Sequence, residues 1–507
     1  MTTGIHHVTA ITQNVQANVD FYAGFLGLRL VKQTGGYEDA EQLHLFYGDA
    51  AGSPGSLVTF LVWEAGGRGR VGLEQVSEIA FAVPADSIGE WLQRALSAGV
   101  PFTGPAKEFG ETVLRLKDPD GIIVKLVGVD MPAVAPLPDP IAPTRVRSVT
   151  ILSDDAGKAA DFAKRFGYRE DSRDGPFIRM VSDTDALDIR HSAGFVPGVQ
   201  GPGVFDHVAF RAVDAEAVRQ MRLDLRDHDG VTNVHDRKYF LSLYVREPTG
   251  TLFEYATDGP GFTVDEPLER LGETLMIPPR EMKRAAAIKV SLPQFAMPGE
   301  DRMPARDLPF IHRFYAPDDP DGSVLVLLHG TGGSEADLMP LGHQLNPRAT
   351  LLGVRGRAAE EGSLRWFRHK GAVSFDQQDI AAEAEAFEAF VDGAIAGYGL
   401  DRERMSFAGY SNGANFLAAV MRLYPAVIGR AMLFRASEVL EDAPQPRLDP
   451  ARVLMVNGVD DPFGGKASAL QAALEAAGAE VDAHLIEAGH ALVDKDEVIA
   501  RDWLRAI

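Results

Sequence analysis

Apolar and polar residues alternate along the first half of the chain in a unit that recurs. A β-branched strand is followed by a helix-like stretch and then by three more strands, an order that predicts a β-α-β-β-β module. Two copies end in similar hairpins with an acidic-Pro-x-Gly turn, LKDPDGIIVKLV (Leu116–Val127) and VREPTGTLFEYA (Val245–Ala256). Further copies begin at GIHHVTAI (Gly4–Ile11) and VRSVTILS (Val146–Ser153). The repeat predicts four modules of this type.

A different pattern begins near residue 308. Continuous apolar strands such as VLVLLHG (Val324–Gly330) alternate with amphipathic helices, which is typical of a mostly parallel α/β sheet. A Pro/Ala-rich connector, Met131–Pro143, separates the modules into two pairs. We therefore predict an α+β arrangement of paired modules followed by an α/β domain. The predicted divisions are modules 1 and 2 over 1–130, modules 3 and 4 over 144–264, a tail and linker over 265–307, and the α/β domain over 308–507.

Acidic residues exceed basic ones, 72 against 50, and the formal net charge is −22. Such a surface repels nucleic acid and anionic membranes, so neither is expected as a partner. The chain has no cysteine, which excludes disulfides and thiolate chemistry and fits a cytoplasmic location. It also shows neither a signal-peptide pattern nor an apolar run of the roughly 18 residues that a membrane span needs. The sequence leaves a homo-oligomeric state open.

Alignment of the repeats brings together three residues that can ligate a metal. The first strand of module 1 carries His7, and the first strand of module 4 carries His207 at the matching place. The last strand of module 4 carries Glu254, whereas module 1 has the neutral Thr59 near that position. Two imidazoles and one carboxylate with open positions suit a non-haem Fe(II) that must also hold a substrate and dioxygen. In module 2 the place of Glu254 is taken by Lys125, so we expect no metal there.

Strand alternation decides which neighbours of His7 share its face. Residues i and i+2 point the same way, so Thr9 is expected beside His7. His6 points to the other face unless the strand twists or bulges. A hydrogen-bonded position in the core suits both His6 and His44.

A second candidate site lies in the α/β domain. GYSNG (Gly409–Gly413) follows a strand and opens a helix, the context in which G-x-S-x-G forms a nucleophile elbow and exposes Ser411. Asp461 comes just after the strand RVLMVNG, and His490 comes after the next strand. This order predicts a triad in which His490 takes the Ser411 proton and Asp461 holds the imidazole. Asp460 is the alternative acid, but Asp461, directly before a proline, suits the strand-end loop better.

The remaining parts of this second site are predicted from their place near the nucleophile. The backbone N–H groups of Asn412 and Thr331 are the expected oxyanion hole, because Asn412 follows the nucleophile and Thr331 lies in the turn HGTGG. His329 is expected to orient that turn. Trp366 suits either the acyl pocket or simple packing, and the sequence does not decide between the two.

The stretch from Gly4 to Pro279 resembles the vicinal-oxygen-chelate superfamily and, more closely, its hydroquinone-type ring-cleaving dioxygenases. The likeness is carried by GIHHVTAI, DHVAF, DRKYFLSLYVREPTGTLFEYATDGPGF and ERLGETLMIPPR. It implies Fe(II), with Mn(II) as the less frequent choice, held by His7, His207 and Glu254. It also implies an extradiol-type reaction between a small aromatic substrate and dioxygen.

The same resemblance implies roles for residues around the metal. Arg237 and Tyr244 match an arginine and a tyrosine near the substrate, where a cation and a phenol can bind a phenolate and donate to bound oxygen. His6, Thr9 and Asp206 would surround the ligands. The family usually has a histidine at the place of Asp206, so this chain departs from the pattern there.

Residues 308–507 resemble the phospholipase/carboxylesterase family of small serine α/β-hydrolases. The likeness is carried by LLHGTGGSEADL, GYSNGANF, GVDDP and AGHAL. A dioxygenase fused to such a hydrolase suggests consecutive steps in aromatic degradation. Iron would open a hydroquinone-like ring, and the hydrolase would cleave an ester or C–C bond in the product.

Two other functions keep the same fold. The modules also occur in glyoxalase-type isomerases and transferases, and they could form a phenol- or antibiotic-binding resistance protein beside an independent carboxylesterase. These isomerases and transferases generally use a fourth protein ligand or a thiol cofactor, and the neutral Thr59 argues against the first of these. Nothing in the sequence excludes the binding function.

Overall fold

The computed structural model describes residues 3–228, 230–300, 308–360, 362–371, 374–441 and 446–506. The chain divides into two compact units, Met1–Met282 with Phe295–Asp301, and Lys283–Gln294 with Arg302–Ile507. The predicted tail and linker thus contributes to both units, and its last seven residues, 301–307, lie outside the described residues.

The first unit contains four β-α-β-β-β modules, as the repeat predicts. The strands of modules 1 and 2 are β1 (Ile5–Thr12), β2 (Arg29–Gly35), β3 (Leu43–Gly48), β4 (Leu57–Val62), β5 (Gln75–Val83), β6 (Phe102–Glu108), β7 (Glu111–Lys117) and β8 (Ile123–Gly128). Those of modules 3 and 4 are β9 (Arg145–Ser153), β10 (Arg169–Asp174), β11 (Phe177–Val181), β12 (Ala186–His191), β13 (Phe205–Ala212), β14 (His235–Asp236), β15 (Phe240–Arg246) and β16 (Leu252–Pro260), followed by β17 (Leu275–Met276). The module helices are α1 (Val15–Val19), α2 (Ile88–Ala98), α3 (Ala156–Ala163) and α4 (Ala215–Asp224).

These strands form two large sheets that do not follow the division at the connector. The first sheet has the order β14-β15-β16-β13-β1-β4-β3-β2-β17 and joins module 1 to module 4. The second has the order β10-β11-β12-β9-β5-β8-β7-β6 and joins module 2 to module 3. In each sheet the first strands of the two modules pair antiparallel, β1 with β13 and β5 with β9. The first strands of modules 1 and 4, which carry His7 and His207, are therefore neighbours.

The second unit is an α/β-hydrolase fold. Its strands are β18 (His312–Tyr315), β19 (Val324–Leu328), β20 (Thr350–Val354), β21 (Ala358–Glu360), β22 (Ser363–Arg365), β23 (His369–Gly371), β24 (Ser374–Phe375), β25 (Met405–Tyr410), β26 (Arg430–Phe434), β27 (Arg452–Gly458) and β28 (Glu480–Ile486). Its helices are α5 (Ala285–Ser291), α6 (Met339–Leu345), α7 (Gln377–Tyr398), α8 (Asn412–Leu423), α9 (Ala467–Ala476) and α10 (Asp494–Ala506).

The main sheet of this unit has the order β18-β20-β19-β25-β26-β27-β28. Only its edge strand β18 is antiparallel to its neighbour, so the sheet is mostly parallel. Its central strands are buried on both faces and read as continuous apolar runs, as expected for parallel strands covered by helices. Among the described helices, none combines the length and apolar character of a membrane span.

Candidate functional site

Three neighbouring strands of the first sheet bring His7, His207 and Glu254 together. The Nε2 atoms of His7 and His207 lie 3.2 and 2.9 Å from the same Glu254 oxygen, Oε2, and 3.4 Å from each other. All three side chains are buried. Within the described part of the chain, they form the one cluster of at least three His, Asp or Glu residues whose ligand atoms all lie within 4.8 Å of one another.

The charges of this cluster are strongly coupled. Burial raises the pKa of the Glu254 carboxyl, but the nearby His7 and His207 outweigh it and hold the pKa well below its ordinary value. Burial also lowers the pKa of His7. For His207 the effect of burial is exceeded by the hydrogen bond to Asp206 and by the nearby negative charge of Glu254, which raise the pKa to about 9. A cation in this cluster would therefore meet one carboxylate and would compete with a proton on His207.

The environment of Glu254 fits a metal ligand. Its side chain is fully buried, yet in the described residues neither carboxylate oxygen accepts a hydrogen bond of good geometry. A buried carboxylate left without such bonds is costly unless it is paired or coordinates a metal. Asp206 Oδ2 lies 2.7 Å from His207 Nδ1, which orients the ring with Nε2 toward the cluster. These residues therefore suit a metal ion held by two imidazoles and one carboxylate.

Two threonines and a further histidine lie beside the cluster, where module 1 has the neutral Thr59 at the position that corresponds to Glu254. The hydroxyl oxygen of Thr9 lies 2.9 Å from His207 Nε2 and 2.9 Å from the hydroxyl oxygen of Thr59. Thr59 in turn lies 2.9 Å from His44 Nε2. Burial and the nearby charges of the cluster lower the pKa of His44 well below its ordinary value, so this imidazole is neutral. A hydroxyl pair therefore stands where a fourth ligand would be.

His6 reaches the same site because β1 bulges. The pairing of β1 with β13 shifts register between Ile5 and His7, which disrupts the strict alternation of faces. The Nδ1 atoms of His6 and His7 lie 2.9 Å apart, and both rings pack against Phe240. Burial lowers the pKa of His6 to about 3, so it is a neutral partner of His7.

Arg237 and Tyr244 lie together at the rim of the cluster. Tyr244 is the cross-strand partner of Glu254, and its ring centroid lies 5.5 Å from that of His207. An Nη2 atom of Arg237 lies 3.5 Å from the Tyr244 hydroxyl, and the guanidinium also binds Glu38 at 2.6 Å. Burial and the charge of Glu254 raise the pKa of Tyr244, so its hydroxyl stays protonated and can donate.

In the second sheet, the positions equivalent to those of the metal cluster form ion pairs. Its strand register puts Lys125 at the place of Glu254 and Glu78 at the place of His207. The buried Lys125 ammonium lies 2.9 Å from Glu78 and 3.5 Å from Glu108. An ammonium group thus neutralises carboxylates at a position where the first sheet offers ligands for a cation.

Replacing Lys125 by methionine is expected to destabilise the first unit without changing its metal content. The variant removes the buried ammonium and leaves Glu78 and Glu108 with Arg115 as their charged partner, at a cost of about 3 kcal/mol at pH 7. Burial raises the pKa of Glu78, but Lys125, followed by Arg115, outweighs it and holds the pKa below its ordinary value. This stabilisation is present above the ordinary pKa of a carboxyl and is lost as the pH falls from there through the lowered pKa. Thermal unfolding at pH 7 and pH 4 measures the difference. Lys107→Met, an exposed change on β6, is the control; an equal loss at both pH values would contradict the ion-pair explanation.

In the second unit, Ser411, His490 and Asp461 form a connected line. His490 Nε2 lies 2.9 Å from Ser411 Oγ, and His490 Nδ1 lies 3.0 Å from both oxygens of Asp461. Asp461 rather than its neighbour Asp460 contacts the imidazole. The Tyr410 hydroxyl donates to the backbone carbonyl of His490 at 3.1 Å.

Ser411 sits on a strained turn between β25 and α8. Its φ of 51° and ψ of −116° lie in a region that L residues rarely adopt. A Cβ atom at Gly409 or Gly413 would fall under 3.0 Å from backbone atoms, so these two positions require glycine. In the described hydrogen bonds, the backbone N–H groups of Asn412 and Thr331 have no acceptor, as an oxyanion hole requires.

His329 and Trp366 pack against the turn that carries Thr331 and bind to its backbone. His329 Nδ1 lies 2.6 Å from the Gly330 carbonyl oxygen, and its Nε2 accepts from the Gly356 N–H at 2.9 Å. Trp366 is fully buried and donates to the His329 carbonyl at 2.9 Å. Its backbone N–H donates to the side chain of Asn412 at 2.8 Å. Trp366 is therefore a packing residue that braces the oxyanion turn.

Some contacts of the two sites have no signal in the sequence. Glu38 binds Arg237 across 199 positions of the chain, and no motif marks either residue as the partner of the other. Arg435 and Asp496, which bind each other beside the His490 loop, are likewise 61 residues apart. Only an alignment of related chains, in which paired positions vary together, could have indicated such contacts.

Comparisons with known proteins agree with the division of the chain into a first unit of β-α-β-β-β modules and a second unit of α/β type. Residues 4–126 match the Glyoxalase/Bleomycin resistance protein/Dioxygenase superfamily. The chain is 36% identical over 287 residues to the putative ring-cleaving dioxygenase MhqO of Bacillus subtilis, a match that covers 55% of this chain and 91% of that protein. It is 31% identical over 296 residues to the chlorohydroquinone/hydroquinone 1,2-dioxygenase of Sphingobium indicum, covering 55% and 92%. It is also 34% identical over 185 residues to the putative hydrolase MhqD of Bacillus subtilis, covering 36% and 92%.

Proposed function

The chain belongs to the ring-cleaving dioxygenase family in its N-terminal part and to the α/β-hydrolases in its C-terminal part, and from this premise we propose that it acts twice on one aromatic compound. The first unit opens the ring of a hydroquinone-type phenol with dioxygen. The second unit hydrolyses the ring-opened product. The observation that carries the proposal is the buried cluster of His7, His207 and Glu254, whose donor atoms are close enough to share one metal ion.

We assign Fe(II) to this cluster, with Mn(II) as the alternative. Two histidines and one carboxylate are the ligand set of non-haem Fe(II) oxygenases and leave positions free for other ligands. When bound, the ion supplies the electron transfer that allows dioxygen to react with a phenol. The chain holds the ligands in place: Asp206 orients His207, and the buried walls keep bulk water from the reacting atoms.

Arg237 and Tyr244 bind the substrate and manage its protons in this proposal. The Arg237 guanidinium attracts a phenolate oxygen, and its contact with Glu38 limits how far the side chain can turn. Tyr244 keeps its proton at neutral pH and can donate it to oxygen as negative charge develops there. Ring opening incorporates both atoms of dioxygen into the product. The hydroxylated carbon becomes an acid, and its neighbour becomes an aldehyde, a ketone or an acyl derivative according to its substituent.

The Tyr244→Phe variant is expected to bind metal normally and to open the ring about 100-fold more slowly, with little change in KM. The substitution removes one hydroxyl, which is the proton donor and the contact with Arg237, and keeps the ring in place. Oxygen uptake at saturating substrate measures kcat, and metal analysis checks the site. Tyr255→Phe is the matched control, because Tyr255 packs against Phe166 on the other side of β16. A wild-type kcat in Tyr244→Phe would remove Tyr244 from the proposal.

The hydrolase step uses Ser411 as the nucleophile. His490 accepts the hydroxyl proton, and Asp461 stabilises the imidazolium that results. When methylhydroquinone is opened beside its methyl group, the product is a 1,3-diketone. Attack on the acetyl carbonyl breaks the adjacent C–C bond, and the leaving carbon takes the electron pair, stabilised by the second carbonyl, and then a proton. Water releases the acetyl group from Ser411 as acetate and restores the enzyme.

Oxygen uptake by anaerobically prepared protein tests the ring-opening step. The protein is given Fe(II), Mn(II) or no metal and then hydroquinone, methylhydroquinone or catechol. We expect uptake with the hydroquinones, faster with Fe(II) than with Mn(II), and none without metal. Absence of uptake with all three phenols and both metals would overturn the proposal and favour an isomerase or a phenol-binding protein on the same fold.

A further inference from the structure

Arg435 lies directly after β26, and its side chain contacts the loop that carries His490. The side chains of Arg435 and Asp496 are both fully buried. They form a bidentate ion pair, with Nη1–Oδ1 at 2.7 Å and Nη2–Oδ2 at 2.8 Å. The backbone of Arg435 has a φ of 57°, a conformation that L residues rarely adopt. The arginine is therefore held in a costly position by specific contacts.

Two of the remaining three guanidinium bonds go to the residues on either side of the catalytic histidine. Nε donates to the Gly489 carbonyl at 2.9 Å, and Nη2 donates to the Ala491 carbonyl at 3.0 Å. Nη1 also donates to the Val456 carbonyl at 3.1 Å, on the neighbouring strand β27. With the two bonds to Asp496, all five N–H groups of the guanidinium are used.

Asp496 ties the same arrangement to helix α10. Its Oδ2 accepts from the N–H of Val493, the last residue of the His490 loop, at 2.8 Å. Asp496 also lies in the first turn of α10, where a negative charge is favoured. The loop from Gly489 to Val493 is thus bound at three points to one buried ion pair. None of these contacts involves Ser411, Asp461 or the imidazole.

We propose that Arg435, held by Asp496, is a positioning residue that keeps the His490 imidazole between Asp461 and Ser411. This inference rests on the proposed hydrolase function. His490 has two side-chain hydrogen bonds, but their geometry depends on where the backbone of its loop lies. A shift of about 1 Å in that loop would stretch both bonds and can cost about 100-fold in rate.

The Arg435→Lys variant of the full-length chain tests the proposal. A lysine keeps the charge beside Asp496 but cannot bind both flanking carbonyls in the planar geometry of arginine. With p-nitrophenyl acetate as the probe, we expect kcat/KM to fall about 100-fold with less than a twofold change in KM. The acidic limb of the pH profile should move to lower pH, because a looser contact with Asp461 stabilises the imidazolium less.

Arg422→Lys is the matched control, since Arg422 is a buried arginine of the same unit that binds Glu438. It should lower the melting temperature and leave the pH profile unchanged. Should Arg435→Lys fail to fold, Asp496→Asn, which keeps one oxygen acceptor, should change kcat/KM and the pH profile in the same direction. A folded Arg435→Lys with the wild-type kcat/KM and pH profile would overturn the proposal.

A second readout separates this inference from the proposed function. The Asp461–His490 hydrogen bond should give a low-field proton resonance in the wild type, and Arg435→Lys should shift or broaden it. Absence of ester hydrolysis in the wild type would contradict the hydrolase function alone, because the resonance would still report the position of His490. A resonance that is identical in both proteins would contradict the positioning role.

Discussion

The Glu254→Gln variant is expected to lose bound iron and, with it, more than 99% of ring opening. The substitution keeps the shape of the side chain and removes the negative charge that contacts both His7 and His207. An amide is a far weaker ligand than a carboxylate, and two neutral imidazoles cannot balance a divalent cation in a buried site. Changes in groups that merely support metal ligands already cost 10- to 100-fold, so the loss of a ligand should cost more.

Metal analysis and oxygen uptake with methylhydroquinone measure this effect in the same preparation. Glu247→Gln is the control, because Glu247 is also buried and lies in the turn just before β16, where it accepts backbone N–H bonds. That variant should be less stable and should still bind one iron per chain. Normal oxygen uptake by Glu254→Gln would show that the metal is held elsewhere and would remove the cluster from the proposal.

The fold was predictable because its signals are local and repeated. Alternation within strands and the four-fold recurrence of the module predict the β-α-β-β-β units, and the continuous apolar strands predict the parallel sheet. The comparison of modules also has a physical basis, since symmetric modules bring equivalent strand positions together in one sheet. This is why His7 and His207, exactly 200 positions apart, could be assigned to one site from the sequence.

Contacts that depend on irregular backbone geometry were harder to predict from the sequence. The bulge in β1 turns His6 toward His7, and no residue pattern in GIHHVTAI marks the bulge. The line from Thr9 through Thr59 to His44 joins three strands whose register the sequence does not specify. Trp366 could have served either pocket or core until its burial and its bond to His329 identified it as packing.

The Ser411→Ala variant is expected to stop hydrolysis and to leave ring opening unchanged. Without the hydroxyl, His490 and Asp461 have no nucleophile to activate, and ester hydrolysis should fall by about 10⁴-fold or more. Oxygen uptake should match the wild type, because the metal ligands belong to a separate unit of the chain. The spectrum of the ring-opened product should therefore persist in the variant and decay in the wild type.

Methylhydroquinone is the substrate of choice for this comparison, because its opened product offers a ketone carbonyl with a stabilised leaving carbon. Acetate is the second readout, and it should appear in the wild type in step with the loss of the product spectrum. Ser406→Ala, a buried change on the same strand β25, controls for effects on folding. If the opened product decays equally fast in wild type and Ser411→Ala, the hydrolase does not act on it, and the two activities share a chain without sharing a substrate. If the opened product persists in Ser411→Ala alone, the two activities are consecutive steps. The dioxygenase then creates the carbonyl group that the serine hydrolase attacks, and the covalent link raises the effective concentration of that product at the second site.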